Sequence, residues 1–222
     1  MNDAEINKKN QSVVDVFNKI AKEYVEHFGK DWEFINEINQ FISHFEPDST
    51  ILDLGSGSGY ITNYLCEKGL KCIGIDNSST MINKAKVSYP NCTFILDDFA
   101  NVENYFAENS VDGILAVYSL FFVPRERLNN VIKAQSKVVK PGGKFFFITR
   151  NGNGEDYITT AIMKECNVDE KLYVNYNTKE QLEKIFKENN FSIDYIKFEG
   201  TKDEIETADG RLIGMATNVK AE

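Results

Sequence analysis

Apolar residues recur first at three- and four-residue steps and then, from about residue 50, gather into short runs separated by helical periodicity. Val13, Phe17, Ile20, Tyr24 and Phe28 put one apolar face on a helix over about 13–28, and Ile35, Ile38 and Ile42 do the same from about Trp32 to Phe45. Pro47-Asp48-Ser49 ends the second helix. The alternation that follows is the signature of a parallel sheet covered by helices on both faces. Strands are expected at Ile51–Leu54, Lys71–Ile75, Cys92–Leu96, Val111–Val117 and Lys144–Thr149, with Pro141-Gly142-Gly143 as the turn into the last.

Between the strands, helices are expected over Tyr60 to about Glu67, after the Asn77-Ser78-Ser79 cap, and from about Arg125 to Val139; a short polar one passes through Val102 and Phe106. Asn151-Gly152-Asn153-Gly154 opens a polar and aromatic loop region that lasts to Asn177. Thr178 then caps a helix burying Leu182, Ile185 and Phe186. Phe191–Phe198 and Arg211–Val219, joined by an acidic turn over 201–210, form an antiparallel pair. The fold class expected is α/β: a Rossmann-like, doubly wound seven-stranded sheet, mostly parallel, with an antiparallel C-terminal strand.

The first strand breaks into Gly55-Ser56-Gly57-Ser58-Gly59 before the helix resumes. Three glycines in five residues at a strand–turn–helix junction make a place where a ligand meets bare main chain. In such sheets ligands sit beyond the carboxyl ends of the strands. Asp76 closes the second strand, where a carboxylate can accept from ribose hydroxyls, and Asp98-Phe99 closes the third, where a carboxylate and a ring suit a purine. The dinucleotide pattern G-x-G-x-x-G fails in both registers, since its sixth position falls on Tyr60 or on Thr62. A Walker loop fails too, as no Gly-Lys-Ser or Gly-Lys-Thr follows.

Composition narrows the classes. The 222 residues are 42% hydrophobic and 27% charged, as in globular chains, and the formal net charge of -9 argues against a nucleic-acid or anionic-membrane partner. Four cysteines without CxxC spacing and only two histidines, His27 and His44, suggest no metal site. With no apolar run near the roughly 20 residues of a span, no membrane is expected and a cytoplasmic location is the default. One domain over residues 1–222 is the simplest reading, with 1–48 a helical cap, 49–222 the α/β core and 151–177 an insertion on the substrate side.

Taken in order, Asp53-Leu54-Gly55-Ser56-Gly57-Ser58-Gly59, Gly74-Ile75-Asp76, Asp98-Phe99, Asp112 to Leu120 and Pro141-Gly142-Gly143-Lys144 resemble the motifs of the class I S-adenosylmethionine-dependent methyltransferases. The resemblance runs from about Val16 onward. It implies S-adenosyl-L-methionine as methyl donor, S-adenosyl-L-homocysteine as product, and a small-molecule acceptor. By the same resemblance Gly55, Gly57 and Gly59 meet the methionine portion, Asp53 its ammonium, Asp76 the ribose, Asp98 and Phe99 the adenine, and Asn77 is a further cofactor-binding residue. Ala116 and Tyr118 line the sulfonium, and Phe17, Ala21 and Tyr24 match a pattern in a leading helix that folds over the cofactor.

Phe122, Arg150, Tyr157 and Tyr173 are candidates for the acceptor pocket. No catalytic base is assigned: where many relatives carry a histidine after the fourth strand, this chain has Phe122. Nor does an Asn-Pro-Pro-Tyr element follow that strand, the stretch being Ala116-Val117-Tyr118-Ser119. A nucleic-acid or protein methyltransferase and a non-catalytic S-adenosylmethionine-binding protein are the alternatives.

Overall fold

The computed structural model describes residues 3–28, 33–200 and 210–221. Seven strands form one sheet in the order β3-β2-β1-β4-β5-β9-β8. Strands β1 (Thr50–Leu54), β2 (Lys71–Asp76), β3 (Thr93–Leu96), β4 (Val111–Val117) and β5 (Val139–Arg150) are the alternating part. Strand β9 (Arg211–Asn218) runs antiparallel to both β5 and β8 (Phe191–Glu199), which completes the mixed sheet expected. Around it lie α1 (Asp3–Phe28), α2 (Ile35–Ile42), α3 (Tyr60–Glu67), α4 (Ser79–Ser88), α5 (Arg125–Val138), α6 (Ala161–Glu165) and α7 (Lys179–Glu188).

Compactness divides the chain into two units: residues 1–99 with 157–173, and 100–156 with 174–222. In the first, β1 and β2 pair in parallel from Thr50 opposite Lys71 to Leu54 opposite Ile75, and β2 pairs with β3. The run Ile51-Leu52-Asp53-Leu54 is buried throughout, as a central parallel strand must be. Helix α4 is capped by Ser78, whose Oγ accepts from Met81 N, and buries Met81, Ile82 and Ala85. In the second unit, Phe145 and Phe147 pack with Phe186 of α7 and Phe191 of β8. Thr178 and Gln181 form a reciprocal cap at the start of α7.

Several expectations shift. Helix α1 begins ten residues earlier than its pattern suggested, and its buried stripe is Val13, Val16, Ile20 and Ala21 rather than the aromatic positions. Phe17 and Tyr24 flank that stripe, half-buried and edge-on to each other at 5.5 Å. On α2 the inward residues are Ile38 and Phe41, with Ile35 and Ile42 only half-buried. The side chain of Phe28, the expected start at Trp32 and the turn over 201–209 lie outside the described residues.

Pro141-Gly142-Gly143 is not a separate turn: β5 already pairs at Val139 with Val111 and then shifts register before Gly113 meets Lys144. The polar helix through Val102 is a 3-10 turn, Phe99–Asn104. The stretch expected as loop after Asn151 is ordered, with β6 (Gly154–Ile158) and β7 (Leu172–Tyr176) paired as a two-stranded ribbon and α6 between them. β7 is apolar and buried, whereas β6 is almost wholly exposed, so β6 carries no alternation by which to recognise it.

Candidate functional site

The glycine loop is tied to the end of β2 by main-chain bonds. Gly55 N and Ser56 N both donate to Ile75 O, at 2.8 and 3.1 Å, and Gly57 N donates to Asp76 Oδ2 at 2.9 Å. Asp76 Oδ1 accepts from Ser78 N at 2.8 Å. One carboxylate thus holds the loop with one oxygen and the start of α4 with the other. Each oxygen keeps a second acceptor site for a ligand.

Gly57 stands at φ +52° with open space where a Cβ would be, so its main chain is reachable. Gly59, at φ +82°, is closed instead: a Cβ there would come within 2.5 Å of the Phe94 ring and 3.0 Å of Ala85 Cβ. The two glycines serve different ends, one approach and the other packing. Ser56 Oγ is buried and finds no hydrogen-bond partner among the described residues. A buried hydroxyl left so is a place for an incoming polar group.

Asp53 is 2% exposed and accepts from Thr62 Oγ1 at 2.7 Å. Burial pushes its carboxyl up to about 7; the neighbouring Asp76 adds to the rise and the Thr62 hydrogen bond opposes it. Burial raises Asp76 also, against the two backbone hydrogen bonds it accepts. A raised acid favours its neutral form in the folded protein. The stabilisation from Asp53 is therefore complete below the unfolded value of 3.8 and is lost as pH climbs through about 7. Between pH 4 and pH 7.5 the free protein is expected to lose on the order of 3 kcal/mol from this group, a slope that Asp53→Asn removes. Denaturant unfolding at both pH values, wild type against variant, measures it; equal slopes would discard the assignment.

Asp97 N donates to Asp76 O, and Asp97 Oδ1 accepts from Asp98 N at 2.7 Å, which turns the chain at the end of β3. Asp98 and Phe99 are half-buried there, as is Asn77 beyond β2. Sequence reasoning missed Asn18. Its Oδ1 accepts from Ser78 Oγ at 2.8 Å and from Thr80 N at 3.1 Å, fastening α1 to the start of α4 one residue from Phe17. A polar residue on the flank of an apolar stripe was the only signal.

In the second unit Ala116 is fully buried near the end of β4, and Tyr118 follows in the left-handed region at φ +53°, an uncommon conformation for a bulky residue. Its Oη accepts from Arg211 Nη1 at 3.4 Å, and Arg211 is paired with Glu199 at 3.0 Å. The Phe121 ring lies edge-on to Tyr118 and against Phe122, and the Arg150 guanidinium stands 5.8 Å from its centre. Phe122, Arg150 and Tyr118 are thus brought together at the end of β4 and β5. Tyr157 and Tyr173 belong to the first unit, edge-on at 5.6 Å. Tyr173 is fully buried with the Lys9 ammonium 5.2 Å from its ring, while Tyr157 is 39% exposed.

An adenosyl amino acid fits these groups: reachable backbone at Gly57, an orphaned hydroxyl at Ser56, and carboxylates at Asp53 and Asp76 for an ammonium and a diol. A pyrophosphate does not, because both carboxylates would repel it. The chain matches the family model of a methyltransferase domain over residues 51–143. It is 29% identical over 177 residues to a ubiquinone biosynthesis O-methyltransferase of Hydrogenovibrio crunogenus, covering 74% of this chain and 72% of that one. Its fold is similar to a methyltransferase of Methanosarcina mazei (TM-score 0.70, 19% identity, 86% and 99% of the two chains). It is similar also to the Burkholderia thailandensis 1,6-didemethyltoxoflavin-N1-methyltransferase, solved with its acceptor and S-adenosylhomocysteine (TM-score 0.72, 14% identity, 97% and 91%). Residues 51–143 thus match a methyltransferase domain, and the fold is that of the S-adenosylmethionine-dependent methyltransferases to which the chain is similar. The Methanosarcina mazei neighbour is an S-adenosylmethionine-dependent methyltransferase.

Proposed function

We propose that the enzyme methylates a small-molecule acceptor, with the donor held at the ends of β1 to β3. The observation that carries the donor half is the single carboxylate of Asp76 gripping both Gly57 N and Ser78 N while keeping acceptor capacity for a ribose. When bound, the sulfonium supplies an electrophilic methyl that an acceptor takes by in-line displacement, the positive charge on sulfur disappearing as it moves. What the chain must do is orient and exclude water. Asp53 orients the ammonium; Gly55, Gly57 and Gly59 shape the loop around the methionine portion. Asp76 and Asn77 take the ribose, Asp98 and Phe99 the adenine. Ala116, Tyr118 and Tyr24 are the further cofactor positions that the resemblance to the methyltransferases implies.

Tyr157 and Tyr173, in the first unit, are separate candidates for contact with the acceptor; the aromatic group Tyr118, Phe121 and Phe122 with Arg150 supports a modest, largely apolar one. So do the named relatives, which act in ubiquinone biosynthesis and on a didemethyltoxoflavin. We read residues 1–48 as a helical cap and 151–177 as serving the acceptor. No helix among the described residues is long and apolar enough to cross a membrane, and we place the enzyme in the cytoplasm.

Calorimetry with S-adenosylhomocysteine is expected to show binding, and folded wild-type protein that binds neither it nor S-adenosylmethionine would overturn the donor assignment. Release of S-adenosylhomocysteine with a panel of phenols, quinols and heterocyclic amines tests the acceptor. Turnover with oligonucleotides or peptides and none with the panel would favour the macromolecular reading instead.

A further inference from the structure

Methyl transfer makes no use of the cysteines, yet three of the four converge on one spot of the first unit. Cys66 lies in the last turn of α3, Cys72 lies in β2, and Cys92 immediately precedes β3. Cys66 Sγ donates to Cys72 O at 3.7 Å. Cys92 Sγ donates at 3.7 Å to Oδ1 of Asn63, which stands one turn before Cys66 on the same face of α3. The Cys66 side chain is among the groups that raise the Cys92 thiol, after burial. Both are partly exposed, Cys72 is buried, and all are free thiols. No three His, Cys, Asp or Glu side chains among the described residues are placed to hold a metal ion, so the chemistry open to this cluster is that of thiols.

We propose that Cys66 and Cys92 form a reversible disulfide whose closure is felt at the glycine loop. Cys92 packs against the cluster of Ile82, Ala85 and Phe94. The Phe94 ring in turn fills the space beside Gly59 and Gly74, 2.5 and 2.7 Å from where their Cβ atoms would be. Bringing two sulfurs to about 2.05 Å draws the Cys92 segment toward α3. A close-packed interior does not absorb that shift locally, so Phe94 moves against the last glycine of the loop. The effect on cofactor binding rests on the donor reading above; the disulfide itself does not.

With a peroxide as oxidant, the Cys66 thiolate attacks one peroxide oxygen, the O–O bond breaks, and the hydroxide that leaves takes a proton to become water. The Cys92 sulfur then displaces the second oxygen from the Cys66 sulfenic acid. An S–S bond forms, an S–O bond breaks and a second water departs carrying the Cys92 proton. The two sulfurs have given up two electrons and the peroxide has gained them. Burial and the Cys66 side chain push the Cys92 thiol up to about 12, which assigns the first attack to Cys66. A dithiol reductant reverses the step.

The test uses the full chain, reduced and then exposed to one equivalent of hydrogen peroxide. Proteolysis without reductant, read by mass spectrometry, is expected to give a Cys66–Cys92 linked peptide two hydrogens lighter. Calorimetry is expected to show S-adenosylhomocysteine bound about tenfold more weakly, within the ordinary range for coupled sites, and restored by dithiothreitol. Cys92→Ser, or Cys66→Ser if the first variant does not fold, should give no linked peptide and an affinity indifferent to peroxide. Folded wild type that yields no linked peptide overturns the proposal, as does an equal loss of affinity in the serine variant. Linkage with unchanged affinity removes the coupling to the loop. If the reduced protein binds no S-adenosylhomocysteine, it is the donor reading that fails, and the linked peptide still stands or falls by itself.

Discussion

Replacing Asp76 by alanine is expected to weaken S-adenosylhomocysteine binding by roughly 1.5–3 kcal/mol, about tenfold to a hundredfold or more, with the fold retained. Two losses add. The ribose loses its acceptor, and the main-chain donors Gly57 N and Ser78 N lose the oxygens that hold them at 2.9 and 2.8 Å. The loop then meets the ligand less ordered, and ordering it costs free energy at the moment of binding. Asp76→Asn separates the two contributions, since its single carbonyl oxygen serves one of the two N–H groups. It should fall between wild type and alanine. Calorimetry on all three proteins reads this; equal affinities for wild type and Asp76→Ala would remove the ribose assignment.

The loop glycines are expected to divide sharply when each is changed to alanine. Gly59→Ala should destabilise the fold by about 2–5 kcal/mol, because a left-handed alanine costs about 1–2 and forcing a methyl into packed surroundings about 1–3. The neighbours that would have to yield are the Phe94 ring at 2.5 Å and Ala85 Cβ at 3.0 Å. Gly57→Ala meets nothing within 4 Å and should cost only the backbone strain, about 1–2 kcal/mol of stability. Its penalty falls on the ligand, since the methyl occupies the space where the main chain is approached. Thermal unfolding and S-adenosylhomocysteine titration of both variants give the comparison. Equal destabilisation by the two changes would mean that the packing of Phe94 is not what Gly59 is there for.

How far the chain could be read in advance follows from burial. β1, β2 and β4 are largely buried apolar runs, the first two closed by Gly55 and Asp76, so their ends fell within a residue of expectation, as did α3. Asp53 and Asp76 stood out because a carboxylate in or at the end of such a run needs a purpose. What pattern could not carry was side-chain commitment. That Asp76 already holds two backbone N–H groups, or that Asn18 grips Ser78 and Thr80, follows from packing between elements distant in sequence. Size misled on α1, where Phe17 and Tyr24 were placed inward although Val16 and Ala21 fill the buried stripe. The exposed β6 offered no periodicity at all.

The sheet order has a bearing on synthesis. β9 is made after β8 yet lies inside it, bonded to β5 along one side and to β8 along the other. Until β9 takes its place, β5 and β8 each lack their partner along that edge, and neither can satisfy the other. Closure of this half of the sheet therefore waits for β9, the last strand in sequence.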